Sequence, residues 1–365
     1  MTYMRELSNK PLIEKIVHLR QSFLRSKKVF TNDELDRPVS YWIKTERLLN
    51  EIGKEIVIIL KTKGCSWALG ENGGCSMCGY IQDSNIHKVK PFHIINQFNH
   101  ALEDKLEEIE KDDEKYILKI FNSGSFFDDE EVPKNIRKHI FESIDKIKNI
   151  KEVVVESRTD HIKPENLQEI KEITNKYVEI GIGIESTNDY IRKNYINKGL
   201  SFSDFLKAVE ICKNQDIGIK AYLLFKPPFI NEIGAIDDCK KSITDLIDLN
   251  INTISINPVN IQRGSLVEYL WYQNRYRPPW FYSLFECLKE ALSADILKRT
   301  RILSDPSGAG TKRGIHNCLR RECNEKMITL LRNFVLSQNL NDLYKIDQID
   351  ECECKITYFL QRELM

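Results

Sequence analysis

The chain has 365 residues, enough for one large domain or for one domain with appendages. Its 54 lysines and arginines balance its 54 aspartates and glutamates, so net charge alone predicts no polyanionic partner. Ten cysteines are too few for a disulfide scaffold at this length, and their clustering indicates metal ligands in a reducing, cytoplasmic setting. No apolar run approaches the length of a membrane span, and the N-terminus lacks the apolar core of a signal peptide.

Residues 1–50 are predicted to form a helical, peripheral extension. The apolar residues with helical spacing in this segment are Leu12, Ile13, Ile16 and Leu19. A basic run that begins at Arg20 follows them. We expect this run to be a solvated face, because charge runs usually are, although it could also contact a polyanion.

From about residue 53, apolar strands alternate with amphipathic helices, which predicts a parallel sheet in an α/β fold. The predicted strands are 56–61, 116–122, 152–157, 179–184, 219–225 and 253–257, and the predicted helices are 91–111, 132–147, 164–175, 202–214 and 235–249. Six such units form a partial (β/α)6 barrel, here assigned to residues 51–300. Residues 301–365 are predicted to form a small, basic, cysteine-containing C-terminal region. Active sites of parallel barrels lie at the C-terminal ends of the strands.

Three cysteines follow the first predicted strand in one glycine-rich loop. Cys65, Cys75 and Cys78 have the spacing C-x9-C-x2-C. Three thiolates can hold three irons of a [4Fe–4S] cluster and leave the fourth iron open for S-adenosylmethionine (SAM). The alternatives are a zinc knuckle or three unrelated thiols. Zinc is the weaker interpretation, because it normally takes four ligands and no further cysteine or histidine occurs before His87.

The cysteine spacing, together with Gly79 and Tyr80, resembles that of radical SAM enzymes that modify tRNA, among them the Elongator catalytic subunit. Two later segments, 256–264 and 308–318, resemble the archaeal radical SAM subunit (subunit beta) of archaeosine synthase. The resemblance extends from about Arg37 to the C-terminus. It implies the same partial barrel, a [4Fe–4S] cluster on the three cysteines and SAM as cofactor.

The resemblance and the strand ends also indicate SAM contacts. Ser123, Gly124 and Ser125 stand where the superfamily has a glycine-rich motif for the SAM amino group, here without its usual acid. Glu156 and Arg158 resemble the Glu-x-Arg of tRNA-modifying relatives, and Arg158 offers a bidentate fork to a carboxylate.

Other candidate SAM contacts are Glu185 for the ribose hydroxyls, and Met77 and Tyr80 in the cysteine loop. Ordinary salt bridges at the barrel mouth, with Met77 as loop filler, are the alternative interpretation. Lys220 is expected to be an exposed residue at the start of its strand.

The C-terminal third is locally basic, with 13 lysines and arginines against seven aspartates and glutamates between residues 263 and 332. Aromatic residues occur among them, a composition that suits phosphates and unstacked bases. Most of these aromatics are nevertheless expected to pack inside the fold. The predicted tRNA or substrate contacts are Asn257, Arg263, Lys312, Arg313 and His316.

Four further cysteines near the C-terminus match a closed zinc site in number: Cys318, Cys323, Cys352 and Cys354. A second iron–sulfur cluster or unpaired thiols are the alternatives, and His316 could replace one ligand. Three isolated cysteines are expected in the core, namely Cys212, Cys239 and Cys287.

The resemblance implies a radical SAM enzyme of archaeal tRNA modification. The expected substrate is lysine-modified 7-cyano-7-deazaguanine (preQ0) at position 15 of tRNA, in which cleavage of the C–N bond of the lysine side chain gives archaeosine. The expected partners are tRNA, the archaeosine synthase alpha subunit that adds the lysine, and an electron donor. The alternatives are another radical SAM tRNA modifier, such as a methylthiotransferase, or a zinc-containing RNA-binding protein without enzymatic activity.

Overall fold

The computed structural model describes residues 10–349 and 352–364. Its centre is one eight-stranded sheet whose strands follow one another in sequence order. β1 is antiparallel to β2, and every later pair of neighbours is parallel. The strands are β1 (Ser40–Arg47), β2 (Ile52–Ile59), β3 (Tyr116–Phe121), β4 (Ile150–Glu156), β5 (Tyr177–Glu185), β6 (Gly218–Phe225), β7 (Thr253–Pro258) and β8 (Arg301–Leu303).

Helices connect the strands, and none of those in the described residues is long and apolar enough to cross a membrane. They are α1 (Lys10–Arg25), α2 (Asn32–Leu35), α3 (Ser66–Leu69), α4 (Pro91–Lys111), α5 (Lys134–Asp145), α6 (Pro164–Ile173), α7 (Asp189–Ile191), α8 (Phe202–Asn214), α9 (Glu232–Asp248), α10 (Leu266–Tyr272), α11 (Phe281–Ala291), α12 (Ala294–Leu297), α13 (Arg321–Ser337), α14 (Leu340–Tyr344) and α15 (Cys354–Gln361). Arg192–Ile196 is π-helical, and short 3-10 turns lie at Tyr80–Gln82, Thr159–His161 and Lys345–Gln348.

Each strand from β2 to β7 is followed by a helix, which confirms the α/β fold and the six strand–helix units of the partial barrel. The helical prediction for residues 1–50 is wrong at Ser40–Arg47, which form β1; residues 1–9 lie outside the described part of the protein. The sequence of β1 mixes charged and apolar residues, so it lacks the apolar run that marks a buried strand. The three-residue β8 continues the sheet past residue 300, the predicted end of the barrel.

The two faces of the sheet differ in composition. Alternate residues on one face pack against the helices in the apolar core, as Ile56, Ile58, Ile180 and Ile182 do. The other face lines the barrel interior, and its buried residues in the N-terminal halves of the strands are largely charged: Glu55, Lys119, Glu152, Glu179, Lys220 and Arg301.

Arg301 is the central residue of this charged interior. Its guanidinium donates to Glu152 Oε2 at 2.7 Å, to Glu179 Oε2 at 2.6 Å and to Thr253 Oγ1 at 3.0 Å. It also donates to the Arg47 carbonyl at 3.2 Å. One side chain on β8 therefore joins β1, β4, β5 and β7 at the end of the barrel opposite to the C-terminal strand ends.

Replacing Arg301 with methionine should lower the free energy of unfolding by about 3–5 kcal/mol, because two buried carboxylates lose their partner. Chemical denaturation of the purified protein measures this change. The exposed Arg299 provides the matched control, Arg299→Met, which should change the free energy of unfolding by less than about 0.5 kcal/mol. Equal stability of the two variants would contradict the bridging role of Arg301.

Candidate active site

The cysteine loop leaves β2 at the C-terminal end of the strand. Cys65 caps α3, and its thiol and those of Cys75 and Cys78 are free and half-buried. Gly73 and Gly74 have φ angles of 69° and 87°, which strongly favour glycine. The backbone can therefore fold back tightly between Cys65 and Cys75.

Arg20 on α1 holds this loop through its backbone. Its Nε donates to the Gly73 carbonyl at 3.0 Å and its guanidinium donates to the Cys78 carbonyl at 2.7 Å. Arg20 is only 3% exposed, so the expectation that the basic run is a solvated face is wrong at this residue. The sequence gives no local sign of the contact, because more than 50 residues separate the partners.

A second clamp of this kind, a side chain that holds the loop by donating to its backbone carbonyls, comes from the segment after the π-helical turn. Asn197 Nδ2 donates to the carbonyls of Asn72 at 2.9 Å and Gly74 at 2.8 Å. In return, Trp67 Nε1 donates to the Asn197 carbonyl at 2.8 Å. Asn197 has a φ of 56°, a left-handed conformation that asparagine tolerates better than most residues. Neither clamp uses a cysteine thiol, so all three thiols are left available.

Buried thiols and nearby cations set the electrostatics of the loop. Burial raises the pKa of Cys75 to about 12, against the opposing effect of Lys198. Burial likewise raises the pKa of Cys65, and Arg158 opposes that shift. Without a metal these thiols stay protonated at neutral pH, and a metal that binds them must displace their protons. Three free cysteine thiols in one loop are a donor set that fits a [4Fe–4S] cluster with one open iron.

The Ser123–Ser125 turn after β3 lies directly against the loop. Ser123 Oγ donates to the Tyr80 carbonyl at 2.9 Å, next to the last cysteine of the loop. Ser125 Oγ accepts from the Arg158 backbone N–H at 3.1 Å. The structure thus brings together the predicted contacts at the ends of β3 and β4.

Glu131 supports this turn from behind and was missed by the sequence analysis. Its carboxylate accepts from the Ser125 backbone N–H at 2.8 Å, from Thr62 Oγ1 at 2.8 Å and from Asn122 Nδ2 at 2.9 Å. A Cβ on Gly124 would lie 1.8 Å from Glu131 Oε1, so only glycine fits there. The glycine-rich turn lacks an acid of its own, but this buried acid, six residues downstream of Ser125, supports it.

Arg158 and Glu156 lie at the end of β4. The Arg158 guanidinium carbon lies 5.5 Å from the centroid of the Trp67 ring in the cysteine loop, and its Nε is 3.1 Å from Asp160 Oδ1. Burial raises the pKa of Glu156. A Cβ on Gly181 would lie 3.1 Å from Glu156 Cγ, so the missing side chain leaves room beside this carboxyl group.

Glu185 forms an ion pair with Lys198, a partner that the sequence did not reveal. Glu185 Oε1 lies 2.6 Å from Lys198 Nζ, and both side chains are largely buried. Glu185 has a φ of 66°, at an irregularity in the pairing of β5 with β6. Such strain in a non-glycine residue is typical of functional positions. A Cβ on Gly183 would lie 2.6 Å from Lys198 Nζ, so Gly183 makes space for the lysine.

Lys220 lies inside the barrel, so the expectation that it is exposed is wrong. It is 4% exposed, and its Nζ lies 4.8 Å from the centroid of the Tyr222 ring. Burial lowers the pKa of Lys220 to about 8. The hydroxyl group of Tyr222, two residues further along the strand, is also buried, and burial together with the adjacent Glu156 carboxyl group raises the pKa of Tyr222. Lys220 and Tyr222 lie on the same face of β6. Tyr222 lies close to Glu156, because both side chains flank Gly181.

The other predicted contacts occupy different environments. Met77 packs partly buried against a small apolar cluster, and Tyr80 is 55% exposed. Asn257 lies in β7 at the C-terminal edge, and Arg263 and Lys312 are exposed.

Two of the predicted tRNA contacts are engaged within the protein. Arg313 donates to the Ile261 carbonyl at 3.1 Å and forms an ion pair with Glu268. His316 is buried, and its Nδ1 lies 2.8 Å from the Gly314 carbonyl. Neither residue is free to contact a ligand without giving up these partners.

The four C-terminal cysteines meet at one place, although they come from distant parts of the sequence. Their Sγ atoms all lie within 4.8 Å of one another, the spacing of ligands on a single ion. Among the described residues no such group includes Cys65, Cys75 or Cys78, nor does His316 join the four. Cys212, Cys239 and Cys287 are buried, as expected for core residues.

Comparison with known proteins places this geometry in a family. Residues 59–236 match the radical SAM superfamily. An uncharacterised protein of Methanocaldococcus jannaschii is 41% identical over 96% of this chain and 93% of its own. Archaeosine synthase subunit beta of Methanosarcina acetivorans is 38% identical over 88% of each protein, and that of Thermococcus kodakarensis is 35% identical over 90% of this chain and 98% of its own. The chain belongs to the radical SAM superfamily and, within it, to the family of archaeosine synthase beta subunits.

Proposed function

We propose that Cys65, Cys75 and Cys78 bind three irons of a [4Fe–4S] cluster and leave the fourth iron for SAM. The thiols are free, and Arg20 and Asn197 hold their loop through backbone carbonyls. They lack the mutual spacing of ligands on one ion, which supports a cluster over a zinc knuckle. When bound, the cluster and SAM supply a 5′-deoxyadenosyl radical that abstracts a hydrogen atom from the substrate.

The residues at the strand ends then bind and orient SAM. Arg158, whose guanidinium lies beside the cysteine loop, takes the SAM carboxylate in exchange for its present partner, the exposed carboxylate of Asp160. The hydroxyl oxygens of Ser123 and Ser125 accept from the SAM amino group, and Gly124 leaves the backbone accessible.

Four further residues complete the proposed SAM site. Glu185 accepts from the ribose hydroxyls while Lys198 holds the carboxylate in place. Met77 and Tyr80 flank the adenine, and Glu156 borders the inner side of the site. Packing of these groups around SAM excludes water from the reacting atoms.

The reaction that we propose is a step of archaeosine formation in tRNA. The observation that carries it is the identity of 38% and 35%, over about nine tenths of this chain, to proteins named archaeosine synthase subunit beta. The substrate is the lysine adduct of preQ0 at position 15 of archaeal tRNA. After a hydrogen atom is abstracted from the lysine side chain, its C–N bond breaks, the side chain leaves as an unsaturated amino acid, and the nitrogen takes up one electron from the electron donor and one proton to give the amidine of archaeosine. Radical chemistry suits this bond because the hydrogens next to the nitrogen are not acidic.

The proposed partners follow from this reaction. An alpha subunit attaches the lysine beforehand, an electron donor reduces the cluster, and tRNA presents an unstacked base at a cost of a few kcal/mol. Exposed Arg263 and Lys312 supply phosphate contacts that offset this cost. Asn257 faces the substrate at the end of β7, whereas Arg313 and His316 contribute by shaping the loop that carries Lys312.

One observation argues against a methylthiotransferase. Such an enzyme needs a second cluster, and only the four C-terminal cysteines could bind it. Their mutual spacing instead suits one ion, because each thiolate of a cluster binds a different iron.

Replacement of Cys75 by alanine should abolish SAM cleavage, because the two thiolates that remain, those of Cys65 and Cys78, are too few to hold the cluster. The measurement is reductant-dependent formation of 5′-deoxyadenosine by anaerobically prepared protein, with iron and sulfide analysis. Cys212→Ala, at a core cysteine far from the loop in sequence, is the matched control and should retain four irons and full cleavage. Cleavage by an iron-free Cys75→Ala protein would overturn the proposed cluster site.

The substrate is tested with tRNA that carries the lysine adduct. We expect SAM cleavage to rise with this tRNA and archaeosine to appear by mass spectrometry of digested nucleosides. Unmodified tRNA and tRNA with preQ0 alone serve as controls. Cleavage of SAM without stimulation by adduct tRNA would reject the substrate and retain the radical SAM chemistry.

Arg20→Met should weaken cluster binding about 10- to 100-fold, because the loop loses its donors to the carbonyls of Gly73 and Cys78. The rate at which a chelator removes iron from the reconstituted protein measures this effect. Arg25→Met, at an exposed residue on the same helix, is the control. Identical rates for the two variants would show that the clamp does not support the cluster.

A further inference from the structure

The four C-terminal thiols have the geometry of one tetrahedral ion. The Sγ atoms of Cys318 and Cys352 lie 4.0 Å apart, and those of Cys323 and Cys354 lie 3.9 Å apart. A disulfide requires about 2.05 Å, so neither pair is bonded. Zinc–sulfur bonds of about 2.3 Å in a tetrahedron place sulfurs about 3.8 Å apart, which agrees closely.

We propose that Cys318, Cys323, Cys352 and Cys354 bind one zinc ion in a closed site that fastens the C-terminal helix α15 to the barrel. Four thiolates fill a zinc coordination sphere, so the site has no open position and serves structure rather than catalysis. Binding displaces the four thiol protons to solvent and leaves a centre with a net charge of −2.

The surroundings of the four sulfurs suit such a centre. Tyr282 Oη lies 3.6 Å from Cys354 Sγ, and Asn317 Nδ2 lies 3.9 Å from Cys323 Sγ, so both can donate to thiolate sulfur. Arg277 donates to the Asn317 carbonyl at 2.7 Å, which fixes a guanidinium beside the residue before Cys318. The cleft that borders the site is lined by the exposed cations Arg320 and Lys326 and by one carboxylate, Glu322, so positive charge prevails beside the negatively charged centre.

Helix α15 needs an anchor because its own packing is weak. Of its eight residues only Tyr358 is buried, while Ile356, Phe359 and Leu360 are 66%, 53% and 72% exposed. A helix of this length is unstable in isolation. The proposed metal site binds α15 through Cys354, the first residue of the helix, and through Cys352, just before the helix. The other two ligands belong to the loop after β8 and to the first turn of α13.

The far end of α15 contacts the barrel near its mouth. Asn231 Nδ2 donates to the Glu363 carbonyl at 2.7 Å, and the Glu232 backbone N–H donates to the Arg362 carbonyl at 3.1 Å. Glu232 begins α9, and its carboxylate lies 2.6 Å from the Nζ of Lys226, the residue directly after β6. The zinc site therefore fixes one end of a helix whose other end contacts the segment that follows β6 at the C-terminal edge of the barrel.

The metal content of purified protein tests the site independently of SAM chemistry. We expect one zinc per protein molecule in the wild type, loss of that zinc in Cys354→Ser and retention of the iron. Cys75→Ala should show the converse pattern, with zinc retained and iron lost, and Cys212→Ala should keep both metals. Cobalt in place of zinc should give the visible absorption of a tetrahedral tetrathiolate site. Loss of iron and sulfide in Cys354→Ser with zinc absent from the wild type would overturn the proposal in favour of a second cluster.

Hydrogen exchange of the wild-type protein tests the fastening role, even if the cysteine variants fail to fold. Removal of zinc by a chelator should raise amide exchange in residues 354–361 at least tenfold and leave strands β3 to β6 unchanged. Re-addition of zinc should restore protection. Unchanged exchange in α15 after complete zinc loss would overturn the anchoring role. Failure of SAM cleavage alone would not bear on either result.

Discussion

The barrel depends on charged groups that are buried in its interior and paired almost completely. Arg301 bridges two carboxylates, and Lys119 bridges Glu46 at 2.7 Å and Glu55 at 2.5 Å. Burying these ions costs several kcal/mol each, which only close pairing and further hydrogen bonds can offset. The N-terminal half of the barrel is thereby filled with fixed polar contacts. At the C-terminal strand ends, which carry the candidate site, the loops that follow the strands fill the space instead.

The cysteine loop of the candidate active site is held by side chains that donate to its backbone carbonyls rather than by contacts to its thiols. Arg20 and Asn197 both donate to carbonyls of the cysteine loop. A clamp that used the thiols would compete with a metal, whereas a carbonyl clamp fixes the loop and leaves the thiols unpaired. A similar arrangement occurs at Gly124, where Glu131 accepts from the Ser125 backbone N–H and the Ser123 hydroxyl donates to the cysteine loop at the Tyr80 carbonyl.

The sequence predicts the parts of this fold that depend on local pattern. All six apolar strands and the helices predicted between them follow from hydrophobic periodicity, and the spacing of Cys65, Cys75 and Cys78 indicates the superfamily, whereas segments 256–264 and 308–318 indicate the family. It cannot predict β1, because pairing with β2 rather than apolar content makes Ser40–Arg47 a strand. Nor can it predict Lys198 beside Glu185, which depends on how the segment after the π-helical turn folds back onto the barrel, or Lys220 inside the barrel, which depends on which strand face points inward.

The two cysteine groups show how separation along the sequence relates to chemistry. The three thiols of the loop lie within one short segment, so they can present an open set of ligands whose geometry the loop itself determines. Among the four C-terminal cysteines, Cys323 and Cys354 are 31 positions apart and Cys318 and Cys352 are 34 positions apart. An ion that binds all four therefore closes long loops. By analogy with a disulfide, closing a loop of that length removes about 3–4 kcal/mol of unfolded-state entropy. An open local site suits a reactive cofactor, and a closed site of distant ligands suits the stabilisation of a weakly packed helix.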